Sequence, residues 1–223
     1  MMYLFGDTEE NLIRHIRENG PRITAFFNNA ERERLMAKMF TRSTKSISDM
    51  LEREWQIGLK VPVGYKLAQK EENFVWFREI EANADKDVFV AAKAYNSEYQ
   101  LLPDSLMAWR EQITKKYIYE NPDNPDSYVI TEREVPSIPV RAKQVDFKGD
   151  YAMEIRGLWR TNNFSMGGPF LGYGVVDSNR GIIYYVEGFA YSPGKDQREI
   201  MRELETVLWT FETTKMRGAA PAQ

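Results

Sequence analysis

Residues 151–211 constrain the fold of this chain more than any other stretch. Alternation places Tyr151, Met153, Ile155 and Trp159 on one face of a strand and Glu154, Arg156 and Arg160 on the other. Two further apolar runs, residues 170–177 and 181–191, flank Ser178-Asn179-Arg180, whose turn chemistry predicts a hairpin. Beyond it, Ser192 and Pro193 read as the cap and first turn of a helix whose apolar face carries Ile200, Met201, Leu204, Val207, Leu208 and Phe211. Antiparallel strands that run into an amphipathic helix bury both apolar surfaces by laying the helix on the sheet, an α+β architecture.

The rest of the chain fits the same plan. From Thr8 the sequence reads as a helix with Leu12, Ile13 and Ile16 on one stripe; Asn19-Gly20-Pro21 ends it and starts a second helix at the proline. That helix carries Ile23, Phe26, Phe27, Leu35, Met36 and Met39 at a spacing near 3.6 residues. Polar residues 41–46 interrupt the stripe, and Ile47, Met50, Leu51 and Trp55 resume it, in a third helix or a continuation of the second. Pro62-Val63-Gly64-Tyr65 opens a region of strand chemistry, dense in aromatic and β-branched residues over 73–80 and 87–95. Pro103-Asp104-Ser105 starts a helix with Leu102, Leu106, Trp109, Ile113 and Tyr117 on its buried side, and a short strand lies within 127–140. The order helices, strands, helix, strands, helix predicts one domain over residues 1–215. It comprises a helical part (8–57) and two strand–helix blocks (59–121 and 127–213) that look like editions of one plan, with a disordered tail over 216–223.

Composition removes several function classes. The 30 basic and 33 acidic residues are interspersed, for a net charge of -3, so no cationic field exists to hold a nucleic acid. No stretch reaches the roughly 20 apolar residues that a membrane-spanning helix needs. With no cysteine there are no disulfides, thiolate nucleophiles or cysteine metal sites, and no cofactor is expected.

The runs Asn19-Gly20-Pro21-Arg22-Ile23, Phe26-Phe27, Ala30-Glu31, Arg156-Gly157-Leu158-Trp159, Met166-Gly167-Gly168-Pro169-Phe170, Val186-Glu187-Gly188-Phe189 and Ser192-Pro193 resemble the family called domain of unknown function 4837. The resemblance covers nearly the whole chain. It implies an uncharacterised lipoprotein of Bacteroidota, placed by a lipid anchor in the cell envelope. Members of that family carry a lipoprotein signal and a longer amino-terminal portion; residues 1–6 read as a strand entered partway, and the chain as a piece of a longer protein. No activity, cofactor or catalytic residue comes with the resemblance. The strands from Tyr151 onward with the final helix are also distantly similar in plan to PsbP-like domains, an analogy of architecture alone.

Six residues stand out as site candidates. Glu154, Arg156 and Glu187 can meet across neighbouring strands, and two carboxylates beside an arginine have their proton affinities pushed apart, as acid/base chemistry requires; an Arg156–Glu187 cross-strand ion pair that only stabilises the sheet is the preferred reading. Tyr185 shares a strand face with Glu187. Gly167 and Gly168 form either a ligand-contacting loop or, preferably, a turn, since Pro169 removes an amide that a phosphate loop would use. His15, the only histidine, sits between Leu12 and Ile16 on a helix and is read as a surface or packing residue. No metal site is expected: Asp123, Asn124 and Asp126 are oxygen-bearing, but Pro122 and Pro125 stiffen their loop, and a plain turn is preferred. Trp55, Trp76, Trp109, Trp159 and Trp209, with Tyr173, Tyr184 and Tyr185, are read as core, with a sugar-stacking groove as the alternative. Glu31-Arg32-Glu33-Arg34 is a solvated helix face. Asp104-Ser105-Leu106 matches a short O-glycosylation pattern, with a helix cap competing. The expected function is a non-catalytic envelope module that binds a ligand or partner protein. A carboxylate-dependent hydrolase or transferase built on Glu154 and Glu187 is the alternative, and an assembly subunit working by self-association is a third.

Overall fold

The structure is a computed structural model that describes residues 2–121 and 124–218. It divides after Thr41 into two compact units. In the first, residues 2–6 carry no strand, and a single helix, α1 (Glu9–Met39), follows. The Thr8 hydroxyl accepts from the Asn11 amide at 3.2 Å, and Glu9 and Glu10 complement the positive helix end. The expected break at Asn19-Gly20-Pro21 does not occur, because α1 runs straight through Pro21. Proline has a helix-compatible φ, and the amide it lacks frees only the Arg17 carbonyl, which lies on an exposed stretch where water can take it. Glu31 pairs with Arg34 on this helix, and His15 is exposed.

The second unit begins with α2 (Lys45–Trp55), a separate helix that buries Ile47, Leu51 and Trp55. Nine strands then build one wholly antiparallel sheet: β1 (Lys66–Glu71), β2 (Phe74–Ile80), β3 (Asp85–Ala94), β4 (Tyr119–Asn121), β5 (Asn124–Glu132), β6 (Arg141–Phe147), β7 (Asp150–Thr161), β8 (Gly167–Asp177) and β9 (Ile182–Tyr191). The order is β1-β2-β3-β9-β8-β7-β5-β4, and β6 pairs with the other half of the β7 edge that β5 uses. β7 is long enough to serve two partners: Arg156 faces Arg141 of β6, and Leu158 faces Glu132 of β5. The β8–β9 hairpin forms as expected, with Gly181 at φ +63° closing the turn. β6, and the antiparallel pairing of β4 with β5, were not foreseen. Of the expected acidic turn, Pro122 and Asp123 lie outside the described residues, as do residues 219–223 of the expected tail, whereas Asn124, Pro125 and Asp126 belong to strand β5.

Helices cover both faces of the sheet. α3 (Pro103–Tyr117) lies over a core of Phe74, Trp76, Phe89, Met153, Ile155, Trp159, Phe170, Tyr185 and Phe189. On the opposite face α4 (Arg198–Leu208) packs on β9, β8 and β3, so closely that a Cβ at Gly188 would stand 3.1 Å from that of Leu204. α4 starts at Arg198, not at Ser192: Gly194 takes φ +71°, and the Ser192 hydroxyl instead donates to the Asn83 carbonyl. A last turn, α5 (Thr214–Gly218), takes in Met216, Arg217 and Gly218 of the tail expected to be disordered. The isolated bridge between Gly58 and Glu212 ties the entry of the sheet to its exit. Among the described residues no helix is long and apolar enough to cross a membrane.

Candidate functional site

The strand register decides which candidates meet. Glu187 faces Gly172 and Phe89, whereas Glu154 faces Tyr173, so the two carboxylates stand on opposite faces of the sheet. The expected Arg156–Glu187 pair therefore does not form. Arg156 Nε and Nη2 donate to Glu154 at 2.7 and 3.2 Å, Nη2 also reaches Glu205 of α4 at 3.1 Å, and the Tyr173 hydroxyl donates to Glu154 at 3.1 Å. These charges bind α4 to the sheet, and they hold Arg156 protonated more firmly than an ordinary arginine against the opposing effect of its partial burial.

Glu187 finds a different cation. Arg110 of α3 grips it with two parallel bonds, Nε to Oε2 at 2.7 Å and Nη2 to Oε1 at 2.8 Å, and the Tyr185 hydroxyl donates to Oε2 at 2.8 Å. Arg110 Nη1 reaches the Thr131 hydroxyl at 3.1 Å, and its guanidinium lies 3.9 Å from the centre of the Phe170 ring. Arg110 and Glu187 are both wholly buried. Burial pushes the Glu187 carboxyl above the usual carboxylate range, opposed by Arg110 and by its hydrogen bonds. Gly172 makes room for this network: a Cβ there would stand 2.3 Å from the Tyr185 hydroxyl oxygen. Gly172→Ala is accordingly expected to displace the Tyr185 ring and to cost about 1–3 kcal/mol, read as a lowered melting temperature. An unchanged melting curve would show that the ring position is not constrained from this side.

A third ionisable group lies at the far end of the same face. Asp87 Oδ1 accepts from Trp76 Nε1 at 2.9 Å and stands 3.4 Å from Arg78 Nε, while Arg78 Nη2 donates to Asp85 at 2.6 Å. Beside it is a cavity of about 20 Å³, lined in part by Trp159, Met166, Phe189 and Tyr191. That space admits a water and little more. Gly167 and Gly168, which follow Met166, form neither a ligand-contacting loop nor a turn, because both are part of β8. A Cβ on Gly168 would lie 2.0 Å from the Ala190 carbonyl that accepts from Trp159 Nε1, and one on Gly167 would lie 2.9 Å from the Trp159 carbonyl. Close backbone approach is what these glycines provide.

Ligand-sized space lies elsewhere. A groove of about 420 Å³ is lined by Tyr95, Glu98, Tyr99, Leu101, Leu102 and Tyr151, within the volume range of small-molecule sites. Tyr99 and Tyr151 are 68% and 49% exposed. The short 3-10 helix Glu98–Leu101 is fixed from inside: the Asn96 and Ser97 amides both donate to Gln100 Oε1, and Gln100 Nε2 donates to the Ala94 carbonyl. A shallow surface depression of about 350 Å³, lined by Gln144, Val145, Asp146, Gly149, Asp150 and Tyr151, shares Tyr151 with the groove. The sugar-stacking tryptophans of the sequence reading are not here; Trp55, Trp76, Trp109 and Trp159 are buried, and Trp209 packs on Phe147.

The sequence profile of the domain of unknown function DUF4837 matches residues 44–210. The chain belongs to that family. The matched stretch holds both arginine–glutamate networks, the groove and the depression, whereas α1 precedes it. No curated protein matches the DUF4837 chain. Among solved structures it is similar to a point mutant of the protein Mog1 and to the Saccharomyces cerevisiae Ran-binding protein Mog1p, each with TM-score 0.42 and 8% identity, over 72% of this chain and 93% and 92% of theirs. A STAR-related lipid transfer protein from Xanthomonas axonopodis follows, at TM-score 0.33 and 12% identity over 66% of this chain and 94% of that one.

Several residues of these buried networks and of the groove escape a reading of the sequence alone. Arg110 stands four residues after Leu106 and three before Ile113, on the buried stripe of α3, so its spacing was a signal of a buried cation. Asp87 is in phase with Phe89 and Ala91 along β3, which places it on the core face. Tyr95, Tyr99 and Tyr151 come together only through the fold, and no local pattern joins them.

Proposed function

We propose that this DUF4837 chain is a non-catalytic binding module of the cell envelope, and that its ligand enters the groove at Tyr95, Tyr99 and Tyr151. The carrying observation is the pairing of the carboxylates. Glu187 is closed off from solvent in a bidentate grip, and Glu154 is held by Arg156 and Tyr173 on the other side of the sheet. Two acids that share no space cannot act together on one bond. The groove, by contrast, is open, of ligand size and bordered by a segment whose backbone Gln100 holds in place, so little ordering opposes binding. The envelope address is supported by the lipoprotein character that the family resemblance implies.

A thermal-shift screen of the purified chain against peptidoglycan fragments, envelope glycans, lipids, metals and nucleotides tests this reading. At about 100 times its dissociation constant a ligand stabilises the native state by roughly 2.7 kcal/mol. The expected result is a stabilising ligand whose shift disappears in Tyr151→Ala and persists in Glu154→Gln. Turnover of any compound, lost in Glu154→Gln, would overturn the reading in favour of the hydrolase.

A further inference from the structure

Resting on that reading, we infer that the ligand is an uncharged, hydroxyl-rich chain, a neutral oligosaccharide, laid across Tyr151 with one part in the groove and one in the depression. Among the described residues, the phenols of Tyr95, Tyr99 and Tyr151 make no hydrogen bond within the protein, and Glu98 has no cationic partner. Each phenol offers a flat apolar face and a hydroxyl that both donates and accepts, the combination that matches the apolar C–H face and hydroxyl rim of a sugar ring.

Charge narrows the class. Neither space is lined by a lysine or arginine, while Glu98, Asp146 and Asp150 are acidic, so a phosphate, sulfate or uronate chain meets repulsion. Asp150 is ion-paired to Lys215 from outside the lining, and Asp146 Oδ1 accepts from the Gly149 amide at 2.6 Å. Extent narrows it further. A compact cation would fill the groove against Glu98, whereas here Tyr151 is shared by two spaces of about 420 and 350 Å³, the second offering Gln144, Asp146 and Asp150 as polar partners. Gly149 of the β6–β7 turn lines it; Lys148 and Gly149 take φ +58° and +88° there, a tight two-residue hairpin loop, and Lys148, outside the lining, is paired with Glu212. Both halves of the track are thus set before a ligand arrives.

Saturation-transfer NMR and isothermal titration on the full chain decide the matter, with cellohexaose, mannohexaose and xylohexaose as neutral probes, galacturonate hexamer as the anionic one and tetramethylammonium as the compact cation. The expected result is saturation transfer to at least one neutral hexasaccharide and none to the galacturonate, with affinity reduced about tenfold by Tyr151→Ala and by Tyr99→Ala, each worth about 1.4 kcal/mol. Both tyrosines are exposed, so their removal leaves the core intact. Glu98→Gln retains an acceptor oxygen and is expected to change hexasaccharide affinity by no more than about threefold. Tyr151-dependent binding of tetramethylammonium or galacturonate, with no hexasaccharide bound, overturns the oligosaccharide assignment and keeps the binding module. Silence of all five probes, together with a negative thermal-shift screen, overturns both.

Discussion

Arg110→Met lowers the unfolding free energy by roughly 3–5 kcal/mol, the loss that follows when one partner of a buried ion pair is removed and the other stays uncompensated. Glu187 would keep only the Tyr185 hydroxyl as a donor, in a core with no access to water. Its burial already raises its proton affinity, and without Arg110 the neutral acid becomes the stable form. A raised native pKa gives stability that is present in acid and lost as pH rises, so the variant is expected to be less crippled near pH 5 than at pH 8. The double change Arg110→Met with Glu187→Leu removes both charges and is expected to recover most of the loss, since apolar side chains of similar volume often replace a buried pair without penalty. Urea unfolding of both variants at the two pH values reads this directly. A double variant as unstable as the single one would mean that the bonds to Thr131 and Tyr185, and not the ion pair, hold α3 to the sheet.

How much of this was legible in the sequence depends on distance along the chain. Antiparallel strands, the β8–β9 hairpin and a helix across the sheet follow from alternation and turn residues, which act over a few positions. The partner of Glu187 is Arg110, on a helix 77 residues earlier, and pairing across such a separation is settled by the order of strands, which no local pattern encodes. Tyr185 and Glu187 did share a face as expected. Glu154 and Glu187 were brought together in the reading because each was assigned a face within its own strand without a common reference; the register through Gly172 and Tyr173 sets them on opposite sides. The break expected at Pro21 failed for a different reason: a proline in an exposed helix releases one carbonyl to water, and the penalty falls short of what ends a helix with 18 residues still to run to Met39.

Asp87→Asn is expected to stabilise the protein at pH 8 and to leave it unchanged at pH 4. Burial pushes the Asp87 carboxyl up to about 7, against the attraction of Arg78 and the Trp76 hydrogen bond, with Asp85 adding to the rise; the unperturbed value is 3.8. The native state thus keeps this proton to near neutrality, whereas the unfolded chain releases it near pH 4. Stability that is fully present below that lower value falls as pH rises through the interval to about 7 and stays low above it. A displacement of about three pH units corresponds to roughly 4 kcal/mol, an upper bound for one group. Asparagine is nearly isosteric and its Oδ1 still accepts from Trp76 Nε1, while Arg78 retains Asp85. Urea midpoints at pH 4, 6 and 8 should therefore show the gap between variant and parent opening with pH. A gap that is constant across the three would show that Asp87 keeps its charge in the fold, with the pair to Arg78 strong enough to outweigh burial. The same result would remove Asp87 as a candidate acid/base group, since a carboxylate ionised at all working pH values beside a water-sized cavity has neither a proton to give nor room for a substrate to take one.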